Sequence, residues 1–132
     1  MIEMSNEMFT LLVNTLNDYD ANIKTDSVYT NKPSEYPFVS LEEIDNRVYE
    51  QGSDCCETEN FAEIDYEINI YTKGDSKKSK ADDIAQTVDT LFNQYGFVRQ
   101  FRNPIQSGDE TIYRIVMRYR GVVSKDHTIY RR

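Results

Sequence analysis

The sequence has no tryptophan, one histidine, two cysteines and three prolines in 132 residues. His127 is the only imidazole and lies in the polar C-terminal segment, where we expect a solvated side chain, so catalysis by a histidine-based nucleophile–base pair is not expected. Cys55 and Cys56 are adjacent, so they lack the C-x-x-C spacing of a zinc site, and a bridge between neighbours would be strained. We expect two reduced thiols, as in a cytosolic protein, with a metal site as the remote alternative.

The sequence also lacks a long apolar run and a secretory leader. No apolar run approaches the roughly 18 residues of a membrane span. The first four residues include Glu3 and lack the positive segment of a signal peptide, so we expect synthesis in the cytoplasm and no membrane contact. The length suits a single α+β domain over residues 1–123, followed by a polar, flexible C-terminal tail over residues 124–132.

What the sequence does have is an uneven charge distribution. Residues 1–72 hold 16 Asp/Glu and 3 Lys/Arg, a net charge of −13. Residues 73–132 hold 7 Asp/Glu and 12 Lys/Arg, a net charge of +5. The whole chain therefore carries −8, and its sequence pI is about 4.6. This balance disfavours a surface that binds nucleic acid phosphates.

The opposite charges also fall on single faces of two alternating segments. One segment presents an acidic row, formed by Glu63, Asp65 and Glu67. The other presents an arginine row, formed by Arg114, Arg118 and Arg120. The two rows can pair within one sheet, or they can meet across copies of the chain at an interface or around a lumen.

Two segments have the three- and four-residue apolar spacing of amphipathic helices. The first helix is predicted over residues 5–18, with Ser5 as its N-cap. The second is predicted over residues 80–95, with Ser79 as its N-cap and Gly96 as its C-terminal stop. Their apolar stripes need a sheet face to cover them.

Strand patterns occupy much of the remaining chain. They lie at residues 36–45, 61–71, 97–102 and 111–123, with turn-rich connections at residues 46–59 and 103–110. The clearest strand, residues 61–71, alternates Ala, Ile and Tyr on one face with Glu, Asp and Asn on the other. The predicted order is α-β-β-α-β-β. We therefore expect a two-layer α+β sandwich, with two helices packed against an antiparallel or mixed sheet.

Neither charged row by itself indicates a reactive centre. Carboxylates that alternate along one strand face lie about 7 Å apart, too far for tight metal coordination without a further ligand. The simpler interpretation of the acidic row is a solvated face or a set of cross-strand partners for the arginine row. The arginine row lacks interleaved aromatic residues, which disfavours nucleic-acid binding. We expect no catalytic residues, no cofactor and no metal.

The order of these segments carries a family resemblance. An amphipathic first helix precedes the proline-led strand that begins Tyr36-Pro37-Phe38, and the acidic alternating strand that begins Glu63-Ile64-Asp65 follows. A Lys/Ser loop then leads into the helix that begins Ala81-Asp82-Asp83, and a hairpin ends the layout. Over about residues 5–123 the chain resembles the tail terminator proteins of long-tailed bacteriophages and prophages, also called tail completion, minor tail or head–tail joining proteins.

This resemblance implies a structural role rather than a reaction. Proteins of this family form rings, commonly hexamers, on the head-proximal end of the tail tube, where they end tail growth and join tail to head. The implied partners are further copies of the chain, the tail tube protein and head connector proteins. DNA would pass through the ring without specific binding, and the protein would reside in the virion tail after synthesis in the bacterial cytoplasm.

Two other classes of function stay open from the residues alone. A small cytoplasmic adaptor or regulator could bind another protein through its arginine or acidic face. A small enzyme is the third class, and the absence of an assembled constellation of reactive residues disfavours it. The mass in solution separates the first two, because a ring protein forms a discrete multimer and an adaptor a monomer or dimer.

Overall fold

The computed structural model describes residues 4–20, 23–26, 36–48, 61–74, 76–106, 111–124 and 129–130. The two helices are α1 (Ser5–Tyr19) and α2 (Lys77–Gln94). The strands are β1 (Lys24–Asp26), β2 (Phe38–Val48), β3 (Phe61–Lys73), β4 (Val98–Gln106), β5 (Ile112–Ser124) and β6 (Ile129–Tyr130). The predicted α+β class is confirmed.

The described strands form one mixed sheet in the order β1-β2-β3-β5-β4, and β6 pairs with β5. The short β1 runs parallel to β2, and all other pairs are antiparallel. The long β3 and β5 lie side by side at the centre, in register from Phe61 opposite Ser124 to Lys73 opposite Ile112. This register brings the acidic strand next to the arginine strand.

Both helices pack on one face of the sheet. α2 contacts β3, β4 and β5, and α1 contacts α2 and β2. The core residues of α2 are Ala81, Ile84, Ala85, Val88, Leu91 and Phe92, and those of β3 are Ala62, Ile64, Tyr66, Ile68 and Ile70. The predicted apolar faces of both elements are therefore confirmed. Each buried Leu or Ile contributes about 1.5–3 kcal/mol to folding.

A cluster of four aromatic rings fills the core beside α2. Phe92 stacks on Tyr119 with 4.7 Å between ring centroids, and Phe97 meets Tyr66 edge-on at 5.5 Å. The Phe97 ring also covers Gly121, where an added Cβ would come within 2.5 Å of the ring. The aromatic packing therefore requires a residue without a side chain at this position.

Both helix starts differ from their prediction. Ser5 is the first helical residue of α1, and Met4, which is buried, holds the N-cap position without a side-chain hydrogen bond. α2 begins at Lys77 after Ser76 rather than after Ser79, and the Lys80 amide donates to the Ser76 carbonyl at 2.9 Å. No glycine or proline separates Lys77 from the apolar stripe, so the helix extends one turn earlier. The predicted stop at Gly96 is confirmed by its φ of 95°.

The strands extend further than predicted. β4 continues through Pro104, which was predicted to lie in a turn, and Pro104 pairs with Ile115. A proline is tolerated there because β4 has no described strand on its outer side to receive a hydrogen bond. β1 was not predicted, because three mainly polar residues show no apolar alternation. β6 lies within the predicted tail at residues 124–132, whose flexibility stays a prediction.

Candidate interaction surface

The sheet face opposite the helices, here called the helix-free face, carries the charged rows of β3 and β5. Asp65 lies opposite Arg120 and Glu67 lies opposite Arg118. This placement follows from the alternation of both strands, since residues with the same parity project to the same face. The structure thus brings five of the six predicted residues together in one ladder, while Arg114 lies further along the same face.

The closest contacts of this ladder join Arg120 to Asp65. The Arg120 Nε donates to Asp65 Oδ1 at 2.8 Å, and its terminal nitrogen donates to Oδ2 at 3.2 Å. The same Nε lies 3.5 Å from a Glu63 carboxylate oxygen. The Asp65 side chain is only 7% exposed, so this two-point contact compensates a carboxylate that is nearly removed from water.

The neighbouring pair, Arg118 with Glu67, is looser. One hydrogen bond of 3.2 Å joins them, and their side chains are 38% and 21% exposed. The Arg118 guanidinium also lies over the Phe101 ring of β4, 5.2 Å from its centroid. Arg118 therefore links β3 to β4 across β5 through one ion pair and one cation–π contact.

Arg47 of β2 completes the ladder from the opposite side. It forms ion pairs with Asp45 and Glu63, and its Nη1 lies 3.6 Å from Asp65. Asp65 thus lies between two guanidinium groups, those of Arg47 and Arg120. The sequence pattern does not single out Arg47, and the β2–β3 register, which places it opposite Glu63, reveals its role.

Arg114 belongs to a different set of contacts. Its Nε and a terminal nitrogen both donate to Asn69 Oδ1, at 3.2 and 2.7 Å. Its guanidinium also lies 5.4 Å from the centre of the Tyr71 ring. Arg114 therefore pairs with an amide and an aromatic ring rather than with the acidic row.

Buried polar atoms lie beneath this charged layer. Ser40 and Asn69 face each other across β2 and β3, and both are fully buried. Among the described residues, the Ser40 hydroxyl, Asn69 Nδ2 and Arg118 Nε have no hydrogen-bond partner. Burial of a polar atom without a hydrogen bond raises the free energy of the folded state. This part of the sheet is therefore polar and does not form a second apolar core.

The ladder stabilises the charged form of Arg120. The hydrogen bond between Arg120 and Asp65 raises the pKa of Arg120 above the ordinary arginine value. Burial lowers this pKa, and the charges of Asp65 and Glu63 raise it. Arg120 is thus a permanent cation held by carboxylates. This arrangement suits structural pairing between neighbouring strands.

The opposite surface, between α2 and β4, carries a second set of ion pairs. Arg99 contacts Asp89 at 3.2 Å, and Arg102 contacts Asp82 at 2.7 Å. The buried Tyr119 hydroxyl donates to Asp89 Oδ1 at 2.6 Å. Burial is the main cause that raises the pKa of Tyr119, and the Asp89 carboxylate raises it further. These contacts attach the edge strand β4 to the helix layer.

Other predicted features lie elsewhere or outside the described residues. Cys55, Cys56 and His127 all lie outside the described residues, as does most of the predicted connection at residues 46–59. Within the described part of the chain, no group of three His, Cys, Asp or Glu side chains could hold a metal ion. Neither described helix has the length and apolarity of a bilayer-spanning segment.

The structure thus pairs the charged rows within one sheet, which is one of the two arrangements that the sequence left open. The cross-strand interpretation of the acidic row is supported by direct contacts of Asp65 and Glu67 with the arginine row. Participation of Glu63, Asp65, Glu67, Arg114, Arg118 and Arg120 in an interface or a lumen stays a prediction.

Comparison with known proteins gives little beyond this geometry. No protein-family model matches the sequence, and no curated protein matches it. Among solved structures, the chain is similar to one described as "Structure of bacteriophage SPP1 gp17 protein", with 17% sequence identity and a TM-score of 0.38. The match covers 86% of this chain and 88% of that chain. A TM-score of this size is too low for conclusions about fold or function.

Proposed function

We propose that this protein is a structural component of a bacteriophage or prophage tail. It forms a ring at the head-proximal end of the tail tube, ends tail growth and joins tail to head. The observation that carries the proposal is the layout of the chain. The amphipathic first helix, proline-led strand, acidic strand, second helix and final hairpin, which carry the family resemblance, fold into one two-layer domain.

The surface chemistry of the described residues supports an assembly role over a catalytic one. The helix-free face carries a ladder of paired charges, and its arginines are occupied by carboxylates, an amide and aromatic rings. Groups engaged in this way position strands and surfaces rather than bind a substrate. We therefore propose a non-catalytic function that needs no cofactor.

The charge of the chain supports the passage of DNA without specific binding. At −8 the protein repels phosphates overall. The ladder also leaves the arginine row without free cations on Arg118 and Arg120, which contact Glu67 and Asp65. In the proposed ring, DNA would pass along an inner surface that does not bind it.

Electron microscopy of the concentrated protein tests the proposal. The expected result is a population of uniform rings with a central hole. Monomers or dimers without rings, together with capture of one specific protein partner, would instead support a cytoplasmic adaptor or regulator. Turnover of a small substrate by the purified protein would contradict both.

A further inference from the structure

The edge strand β4 is exposed to water along most of its length. Seven of the eight side chains from Val98 to Ile105 are exposed, and Phe101 is half-buried. The inner edge of β4 pairs with β5, and no described strand lies on its outer edge. The main-chain groups of such an edge can pair with a strand from another chain. β4 therefore offers a partner both its side chains and its outer main chain.

The two faces of β4 differ in chemistry. The β5 residues opposite Arg99 and Arg102 are buried in the core, so both arginines lie on the face that carries the helices. Val98, Phe101 and Ile105 lie opposite the arginine row of β5, and therefore on the helix-free face. Val98 and Ile105 are 42% and 40% exposed. One face of β4 thus presents cations, and the other presents apolar side chains.

The two arginines of β4 keep donors for a second acceptor. Each forms its ion pair with an α2 aspartate through one terminal nitrogen, and a guanidinium has five N–H donors. The side chains of Arg99 and Arg102 stay 47% and 36% exposed in these pairs. The aspartates belong to α2, which packs on β3 and β5 as well as on β4, so they lie further from the sheet edge. A strand added outside β4 would therefore meet the arginines first.

A second copy of β4 is a poor partner for this edge. Antiparallel pairing of two β4 strands would place the arginines of both copies on the same face, where like charges oppose pairing. The register shift between Arg99 and Phe101 and the missing N–H of Pro104 also disfavour regular pairing of two such strands. A strand with carboxylates opposite the arginines avoids the repulsion.

We propose that β4 binds an extended segment of another protein as an additional strand, and that this segment alternates carboxylate and apolar side chains. Its carboxylates would lie opposite Arg99 and Arg102, and its apolar side chains would lie opposite Val98 and Phe101. Because successive side chains of a strand point to opposite faces, one alternating sequence meets both requirements. Pro104 cannot donate to a partner, so the pairing is limited to Val98–Asn103.

The described strands of this chain do not supply such a segment. β3 has the required alternation, but both of its edges are already paired, one with β2 and the other with β5. The partner strand is therefore assigned to a different protein. This inference goes beyond the proposed ring and does not depend on it.

Binding of a fluorescent synthetic peptide to the full-length protein tests this surface. The peptide Thr-Val-Glu-Ile-Glu-Val-Thr carries two carboxylates on one face of a strand and three apolar side chains on the other. One control peptide replaces both Glu by Lys. A second, Thr-Glu-Glu-Ile-Val-Val-Thr, has the same composition without the alternation. By fluorescence anisotropy, we expect both controls to bind at least about tenfold more weakly than the alternating Glu peptide.

Protein variants locate the contact. In Arg99→Gln/Arg102→Gln, the preference for Glu over Lys peptides should disappear. Lys24→Gln/Lys73→Gln removes the same charge at two exposed positions away from β4 and should keep the preference. Thermal melts show which variants remain folded. Should the arginine variant unfold, Val98→Ser/Ile105→Ser, which leaves the ion pairs to α2 intact, takes its place and should weaken binding of the alternating Glu peptide severalfold.

Hydrogen exchange completes the test, because strand addition should slow exchange of the β4 amides when the alternating Glu peptide is bound. No binding at millimolar concentration, equal binding of the three peptides, or slowed exchange in another strand would each overturn the inference. Protection of β4 in the free protein that disappears on dilution to monomers would show that a second copy occupies the edge, and would also overturn it. Each of these results leaves the ring proposal standing, and a protein that forms no ring leaves the peptide result unchanged.

Discussion

Replacement of Arg120 by glutamine tests whether the charged ladder stabilises the fold. The change removes two hydrogen bonds to Asp65, whose side chain is 7% exposed, and a 3.5 Å contact to Glu63. Loss of one partner from a buried ion pair costs about 3–5 kcal/mol. Two features reduce this value here. Arg120 is itself 35% exposed, and Arg47 stays 3.6 Å from Asp65 as a second cation.

We therefore expect Arg120→Gln to lower the free energy of unfolding by about 2–3 kcal/mol. For a domain of this size, about 3–5 °C of melting temperature corresponds to each kcal/mol, so the melting temperature should fall by roughly 6–15 °C. Arg118→Gln is the matched control. Its ion pair with Glu67 is more exposed on both sides, so we expect a cost below about 1 kcal/mol.

Urea unfolding of the two variants and of an Arg120→Gln/Asp65→Asn double-mutant cycle measures these values. A favourable coupling between Arg120 and Asp65 of about 1–2 kcal/mol is expected. Equal, small effects of the two glutamine substitutions, with no coupling to Asp65, would refute the reasoning. They would mean that the ladder contacts do not persist in solution.

Three further predictions concern the core. Ile68→Ala and Leu91→Ala should each destabilise the protein by about 2–5 kcal/mol in urea unfolding, and a null effect at both would contradict the described packing. Gly121→Ala should lower the melting temperature by several degrees, because its Cβ would lie 2.5 Å from the Phe97 ring, whereas an unchanged melting temperature would show that the ring moves freely. Burial raises the pKa of Tyr66 to about 12, and the charges of Glu43 and Glu7 add to this shift. The neutral phenol therefore stabilises the fold fully below pH 10. This stability, at most about 3 kcal/mol, is lost between about pH 10 and 12, and a Tyr66→Phe variant should show a shallower decline over that range.

The sequence predicts the centre of the fold better than its edges. β3 and α2 could be predicted because one face of each is apolar and the other polar, and burial against a second layer imposes that pattern directly. β1 and the second half of β4 carry little such pattern, since an edge strand packs on one side only. Pro104 even suggests a turn, although an edge strand accommodates it.

The charged site could be predicted only in part. The alternation of β3 and β5 shows that each row lies on one face, but register decides which residues meet, and register depends on long-range pairing. Arg47 was missed as a ladder member for this reason, since it lies on β2 opposite Glu63. The start of α1 was displaced for a different reason, because burial of Met4 determines where α1 begins more strongly than a serine cap does.

The mass of the assembled protein in solution tests the central claim most directly. Sedimentation equilibrium or native mass spectrometry over a range of protein concentrations should show one closed species whose mass is a fixed multiple of the 15.5 kDa chain. We expect opposite charges to contribute to the contact between copies, so the association should weaken as salt rises. A monomer or dimer at every concentration, or an open series of ever larger multimers, would contradict the account.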